Sequence, residues 1–167
     1  RGRRVIVRRA EPGDAAALVA LANAVSAEPE AWLISTGWRS VNEERRFLRA
    51  VRRHPDAAVI VAELDGEVVG RLSLARDQHP ASGHVADLGL MVDVGHRRAG
   101  VGRALMVAAA EWARAHSVSK LELHVFPWNE PAIALYESLG YVKEGYRKNH
   151  YVRDGAYADA VLMALQV

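Results

Sequence analysis

Residues 87–116, DLGLMVDVGHRRAGVGRALMVAAAEWARAH, carry the spacing from which chemistry can be argued. The run over 88–94 is mostly apolar and bounded by turn signals, the pattern of a buried strand. Past a turn rich in glycine and arginine, Val101, Leu105, Ala108, Trp112 and Ala115 recur every three or four residues and predict a helix that buries these five. A strand that runs through such a turn into a helix N-terminus leaves backbone N–H groups unpartnered at the positive end of the helix dipole. Arg97, Arg98 and Arg103 add full charges around them. The chemistry on offer is anion binding, phosphate above all.

Two familiar phosphate loops are excluded by spacing. Gly95 and Gly100 have the gap of a P-loop, but Val101 and Gly102 stand where it needs lysine and a hydroxyl. A dinucleotide fingerprint needs a third glycine, where this chain has Leu105. The elements that must position the turn follow from local signals. Residues 5–7 read as a strand, and 14–26 as a helix buried through Leu18, Leu21, Ala22 and Val25. Ser40-Val41-Asn42-Glu43 is a capping box that opens a helix to about residue 53. Between these helices, Glu28, Glu30, Trp32 and Trp38 combine acid and aromatic groups that suit a pocket for a cationic acceptor, although packing is the preferred reading of tryptophans at helix ends. Residues 58–64 and 67–74 form a hairpin across Asp65-Gly66. Leu121, Leu123 and Val125 alternate with Glu122 and His124 as a strand with one polar face. Asn129 and Pro131 open a helix that Gly140 stops, and strands over 141–151 and 157–165 flank a turn at Asp154-Gly155.

Composition sets the limits. The chain has 167 residues, 50% hydrophobic and 25% charged, which predicts one domain over 1–167 with a core of its own. A net charge of +2, with basic residues scattered beyond the first nine, speaks against a nucleic-acid surface. Without cysteine, disulfides, thiolate zinc sites and a cysteine nucleophile are excluded, and no metal is expected. No apolar run approaches the roughly 18 residues of a membrane span, and the basic opening with an apolar stretch after it reads as strand and helix rather than a secretory leader. We therefore expect a cytoplasmic protein. It opens on Arg1 rather than methionine, so its native start is expected to lie elsewhere.

Arg97-x-x-Gly100-x-Gly102 resembles the pyrophosphate loop (Q/R-x-x-G-x-G/A) of the GNAT family of N-acetyltransferases. A second block in the right order, Asn129 to Tyr141, is similar to that family's N-x-x-A-x-x-L-Y-x-x-x-G-F, with Tyr141 for phenylalanine. The resemblance implies an α/β (α+β) fold: a mixed, mostly antiparallel twisted sheet with a splayed central strand pair and flanking helices. It implies acetyl-CoA as cosubstrate and a primary amine as acceptor, attacked directly. Backbone groups around Leu90, Met91 and Val92 would hold the pantetheine, and those of Arg98, Ala99, Gly100, Val101, Gly102 and Arg103 the pyrophosphate. Gly100 and Gly102 would allow close approach. Tyr136 would protonate the leaving thiolate, and Asn129 would touch CoA while capping its helix. Asp87, at the start of the splayed strand, is the candidate base; His84, His124 or a water compete with it. Glu28, Trp32 and His84 are candidates for the acceptor side. A small molecule is preferred as acceptor, with a protein N-terminus or lysine as the alternative, a non-catalytic acyl-CoA-binding module as the alternative class, and a homodimer as a possible assembly.

Overall fold

Short β-branched runs and capped amphipathic segments alternate along the chain, and a computed structural model describing residues 4–34 and 37–167 turns them into strands and helices. The expectation drawn from Arg1, and the part of the 27–39 stretch at Ser35 and Thr36, lie outside the described residues. The elements are β1 (Val5–Arg9), α1 (Ala15–Ser26), α2 (Val41–Arg53), β2 (Ala57–Leu64), β3 (Glu67–Arg76), β4 (Val85–Val92), α3 (Val101–Ala115), β5 (Lys120–Val125), α4 (Glu130–Ser138), β6 (Val142–Arg153) and β7 (Ala156–Gln166). Local chemistry sets the ends. The Ser40 hydroxyl accepts the Glu43 N–H at 3.2 Å ahead of α2, and Asn129 accepts the Ala132 N–H at 3.3 Å ahead of α4. At the β2–β3 hairpin, Asp65 and Gly66 have φ of 53° and 81°, the left-handed pair that a tight primed turn requires. β4 ends earlier than the apolar run suggests because Asp93 folds over, its carboxylate accepting the Gly95 N–H at 3.2 Å.

The strands form one seven-stranded sheet in the order β1-β2-β3-β4-β5-β7-β6. β4 and β5 are the only parallel neighbours among the described strands, and they pair over just Val85↔Lys120, Ala86↔Leu121 and Asp87↔Glu122. β4 goes on pairing with β3 as far as Gly70↔Val92, and β5 with β7 as far as Val125↔Val161. Beyond Asp87 the two central strands therefore part while each stays anchored on its outer side. This is the splayed pair that the resemblance implies.

Helices cover both faces. On one, α3 packs over Leu72, Leu121, Leu123 and Val125; on the other, Leu18, Leu21 and Leu48 of α1 and α2 meet Val59, Val61 and Met91. Of the stripe expected on α3, Val101 and Leu105 are buried, together with Met106, Ala109 and Ala113, whereas Ala108 and Trp112 are half-buried and Ala115 is exposed. At Gly70 of β3 an added Cβ would sit 2.8 Å from Val101 Cγ1 and 2.9 Å from Leu105 Cδ1, so this glycine lets those two residues of α3 come close to the sheet. At the far edge, β6 exposes Val142, Tyr146 and Val152. No helix among the described residues is long and apolar enough to cross a membrane.

Candidate active site

The site begins at the fork. Residues 88–92 of β4 are bonded to β3 on one side, and on the other their alternate N–H and C=O groups face a cleft of about 170 Å³. Leu88, Gly89, Leu90 and Met91 form one wall; Leu123, His124 and Val125 of β5 form the other; Tyr136 of α4 and its cap Asn129 close the side. Such an edge suits an extended arm with its own amide groups, the chemistry of pantetheine, which pairs as an added strand would. Trp32, Leu33, Ile34 and Trp38 roof the cleft. Their loop is tied down from three directions: Glu28 by Arg97, the Glu30 carbonyl by the Trp128 indole N–H at 2.9 Å, and the Leu33 carbonyl by Arg153.

The turn into α3 has the backbone of an anion cradle. Arg98 and Gly100 have φ of 66° and 81°, and the first helical bond runs from Ala104 N–H to Gly100 O at 3.0 Å. No side chain caps the helix, which leaves the N–H groups of Val101, Gly102 and Arg103 without a helical acceptor. Arg98, Ala99 and Gly100 are exposed beside them. Arg97 departs from expectation. Its guanidinium pairs through both nitrogens with Glu28, at 2.7 Å for the Nη2–Oε2 contact, and donates to Val92 O at 3.0 Å, with the Trp32 ring 4.7 Å away. Arg97 and Glu28 therefore neutralise each other in fixing the roof, and neither lines the cleft; Trp32 does. Arg103 bonds the Ser138 hydroxyl at 2.9 Å, joining α3 to α4. The two glycines also differ from expectation. An added Cβ at Gly100 meets nothing within 4 Å, so its need is the left-handed φ, whereas at Gly102 it would meet Leu135 Cδ2 at 3.0 Å, so that position is held open for helix packing.

Titratable groups gather where the strands part. Asp87 stands at the fork with its side chain reaching solvent beside the cleft rather than lining it. Surrounding protein atoms, then the nearby charges of Glu122 and Asp77, push its carboxyl up to about 6 against the pull of Arg147. His124 lines the cleft, and its Nδ1 lies 2.7 Å from the Tyr151 hydroxyl. Burial, with Arg147 and His150 nearby, holds the imidazole below its ordinary value. Tyr136 is 6% exposed, and burial pushes its phenol well above the usual tyrosine range. His84 is exposed ahead of β4, where its carbonyl accepts the Ser119 N–H at 2.9 Å, at the closed end of the β4–β5 pair and away from the cleft.

Several groups at the site escaped the sequence reading: Arg147, His150 and Tyr151 of β6 around His124, and Arg71 and Ser73 of β3 in the cleft wall. Arg71 had a visible signal, a cation in the middle of an apolar strand. The β6 residues had none, since only the β5-β7-β6 order brings them near.

A chain with a splayed β4–β5 pair, an uncapped glycine turn and a tyrosine in the cleft has the architecture of a CoA-dependent acyltransferase. Residues 19–141 match the family described as Acetyltransferase (GNAT) family. The L-amino acid N-acetyltransferase AaaT of Escherichia coli (strain K12) is 34% identical over 164 residues, 96% of each chain. The crystal structure of a ribosomal-protein-alanine N-acetyltransferase from Brucella melitensis is 26% identical with TM-score 0.87, covering 97% of this chain and 99% of that one. A Salmonella typhimurium structure solved with its cofactor acetyl-CoA shares the fold at 23% identity and TM-score 0.86, over 98% and 94% of the two chains. The protein belongs to the GNAT acetyltransferase family. It is an acyltransferase acting on amines, with acetyl-CoA as its cosubstrate.

Proposed function

We propose that the protein acetylates the primary amine of a small molecule by direct attack in a ternary complex, and that its one domain spans 1–167 and works in the cytoplasm. The observation that carries this reading is the fork, which sets Asp87, His124 and Tyr136 around one cleft walled by unpaired β4 backbone. Acetyl-CoA supplies the acyl group as a thioester. Backbone groups of Leu90, Met91 and Val92 hold its arm, and one N–H there polarises the carbonyl. The N–H groups of residues 98–103 take the pyrophosphate, with Arg98 as the nearby free charge and Asn129 at the mouth. As the amine's N–C bond forms and the C–S bond breaks, Asp87 takes the amine proton, directly or through water, and Tyr136 gives one to the sulfur. A second reading gives the base to His124, because it lines the cleft while Asp87 stands at its rim.

The small volume and the aromatic roof favour a small acceptor over a folded protein, and the printed name of the Escherichia coli relative points the same way. The printed name of the Brucella structure favours the alternative, a protein N-terminus. Competition between free amino acids, simple amines and amino-terminal peptides, followed by thiol release from acetyl-CoA, tests the choice. Turnover of small amines at lower concentrations than any peptide is expected; peptides alone as substrates would reverse it.

A further inference from the structure

Arg71 lies in the middle of β3, 6% exposed, and lines the cleft together with Ser73. Its ion pair with Glu44 is a loose one. Glu44 of α2 is fully buried, but its carboxylate is 2.7 Å from Arg39 and 3.8 Å from Arg71 Nη2, the second too long for a hydrogen bond. Arg71 Nε and the Trp38 indole nitrogen are both buried donors without an acceptor among the described residues. The Trp38 ring lies 5.1 Å from the Arg71 guanidinium carbon and 5.2 Å from that of Arg39, so the three side chains form one cluster. Two cations face one carboxylate there. Desolvation lowers Arg71 to about 10, with Glu44 opposing the change and Arg39 adding to it. A buried cation with orphan donors is costly unless an anion completes it, and the cleft is where one can enter.

We infer that Arg71 and the Trp38 indole N–H anchor a carboxylate on the acceptor, so that the acceptor is an amino acid with its carboxylate free. This rests on the proposal that the acceptor is a small amine. The register supports the placement. Arg71 is paired with Met91, Ser73 with Gly89 and Ala75 with Asp87, all on the sheet face that meets α1 and α2. From Met91 back to Asp87 is about 13 Å along the strand, a span that an arginine side chain, an amino acid's few backbone atoms and the Asp87 carboxylate or a water fill. The carboxylate then lies toward Arg71 and the amine toward the fork. A primary amine with no acid group, or a peptide whose carboxylate lies far from its amine, leaves the Arg71 Nε and Trp38 donors unfilled.

The test follows thiol release by the wild-type protein with acetyl-CoA and the common L-amino acids, each beside its amide, with a set of amino-terminal peptides. The best acid should exceed its amide in kcat/KM by about tenfold or more, chiefly through KM, as loss of a charge-assisted contact would give. Arg71→Met should bring the ratio of acid to amide in kcat/KM close to one, and Arg71→Lys should recover part of the preference for the acid. Amides used as well as acids by the wild type overturn the inference while leaving the small-amine reading in place. So does an equal loss for acid and amide in a folded Arg71→Met variant. Because Arg71 is buried, the wild-type ratio decides alone if that variant does not fold, and N-acetyl-L-amino acids should then raise the wild-type unfolding temperature where their amides do not. Turnover of peptides alone, or of no amine at all, overturns the small-amine reading and the inference with it.

Discussion

Burial of Tyr136, and for Asp87 the surrounding protein atoms with the charges of Glu122 and Asp77, push both groups up, with opposite consequences for chemistry. The buried Tyr136 phenol favours its protonated form, which is the form the proposed donor role needs. Asp87, raised to about 6, is ionised at neutral pH yet basic enough to take a proton. Tyr136→Phe should lower kcat by about 100-fold or more and leave the KM for acetyl-CoA little changed, measured by initial rates. The acid limb of kcat/KM should have an apparent pKa near 6 in the wild type and in His124→Gln, and should be lost with most of the rate in Asp87→Asn. A limb that disappears in His124→Gln instead would transfer the role of base to the histidine. The same shift has a stability sign. Between the ordinary value of 3.8 and about 6 the folded state holds a proton on Asp87 that the unfolded chain has released, so this group's contribution falls as pH rises through that window. Urea denaturation of Asp87→Asn should show a smaller loss of stability between pH 4 and 7 than the wild type.

At the scale of elements, the parts that local chemistry sets were legible in the sequence. The Ser40 and Asn129 caps, the Asp65-Gly66 hairpin and the glycine turn each depend on residues a few positions apart, and each stands where the sequence puts it. What could not be read was set by pairings far along the chain. Arg97 looked like part of the anion cradle because its partner, Glu28, lies in another segment; Arg71 went unread because Glu44 and Trp38, which stand around it, belong to α2 and the loop before it. Two predictions belong here. Gly70→Ala forces Val101 and Leu105 apart from the sheet and should cost about 1–3 kcal/mol of stability in urea. Glu28→Gln leaves the mostly buried Arg97 without its charge partner and loosens the roof, so it should raise the acceptor KM several-fold while acetyl-CoA affinity holds.

For the whole molecule, one sheet divides the work. The face under α3 and α4 supplies the core on which the glycine turn rests, and the face under α1 and α2 carries Arg71, Ser73, Met91 and the roof over the cleft. In the proposed arrangement the donor and acceptor sites meet at the β4–β5 fork, so that both substrates can be present together. Acetyl-CoA at 100 times its dissociation constant should stabilise the fold by about 2.7 kcal/mol, and ATP at the same concentration should not. The most direct test of direct transfer is the initial-velocity pattern with acetyl-CoA and an accepted amine, combined with the mass of the protein after incubation with acetyl-CoA alone. The fork predicts intersecting lines, thiol release only when both substrates are present, and a protein of unchanged mass. Parallel lines, with an acetyl group left on the protein in the absence of amine, would contradict it.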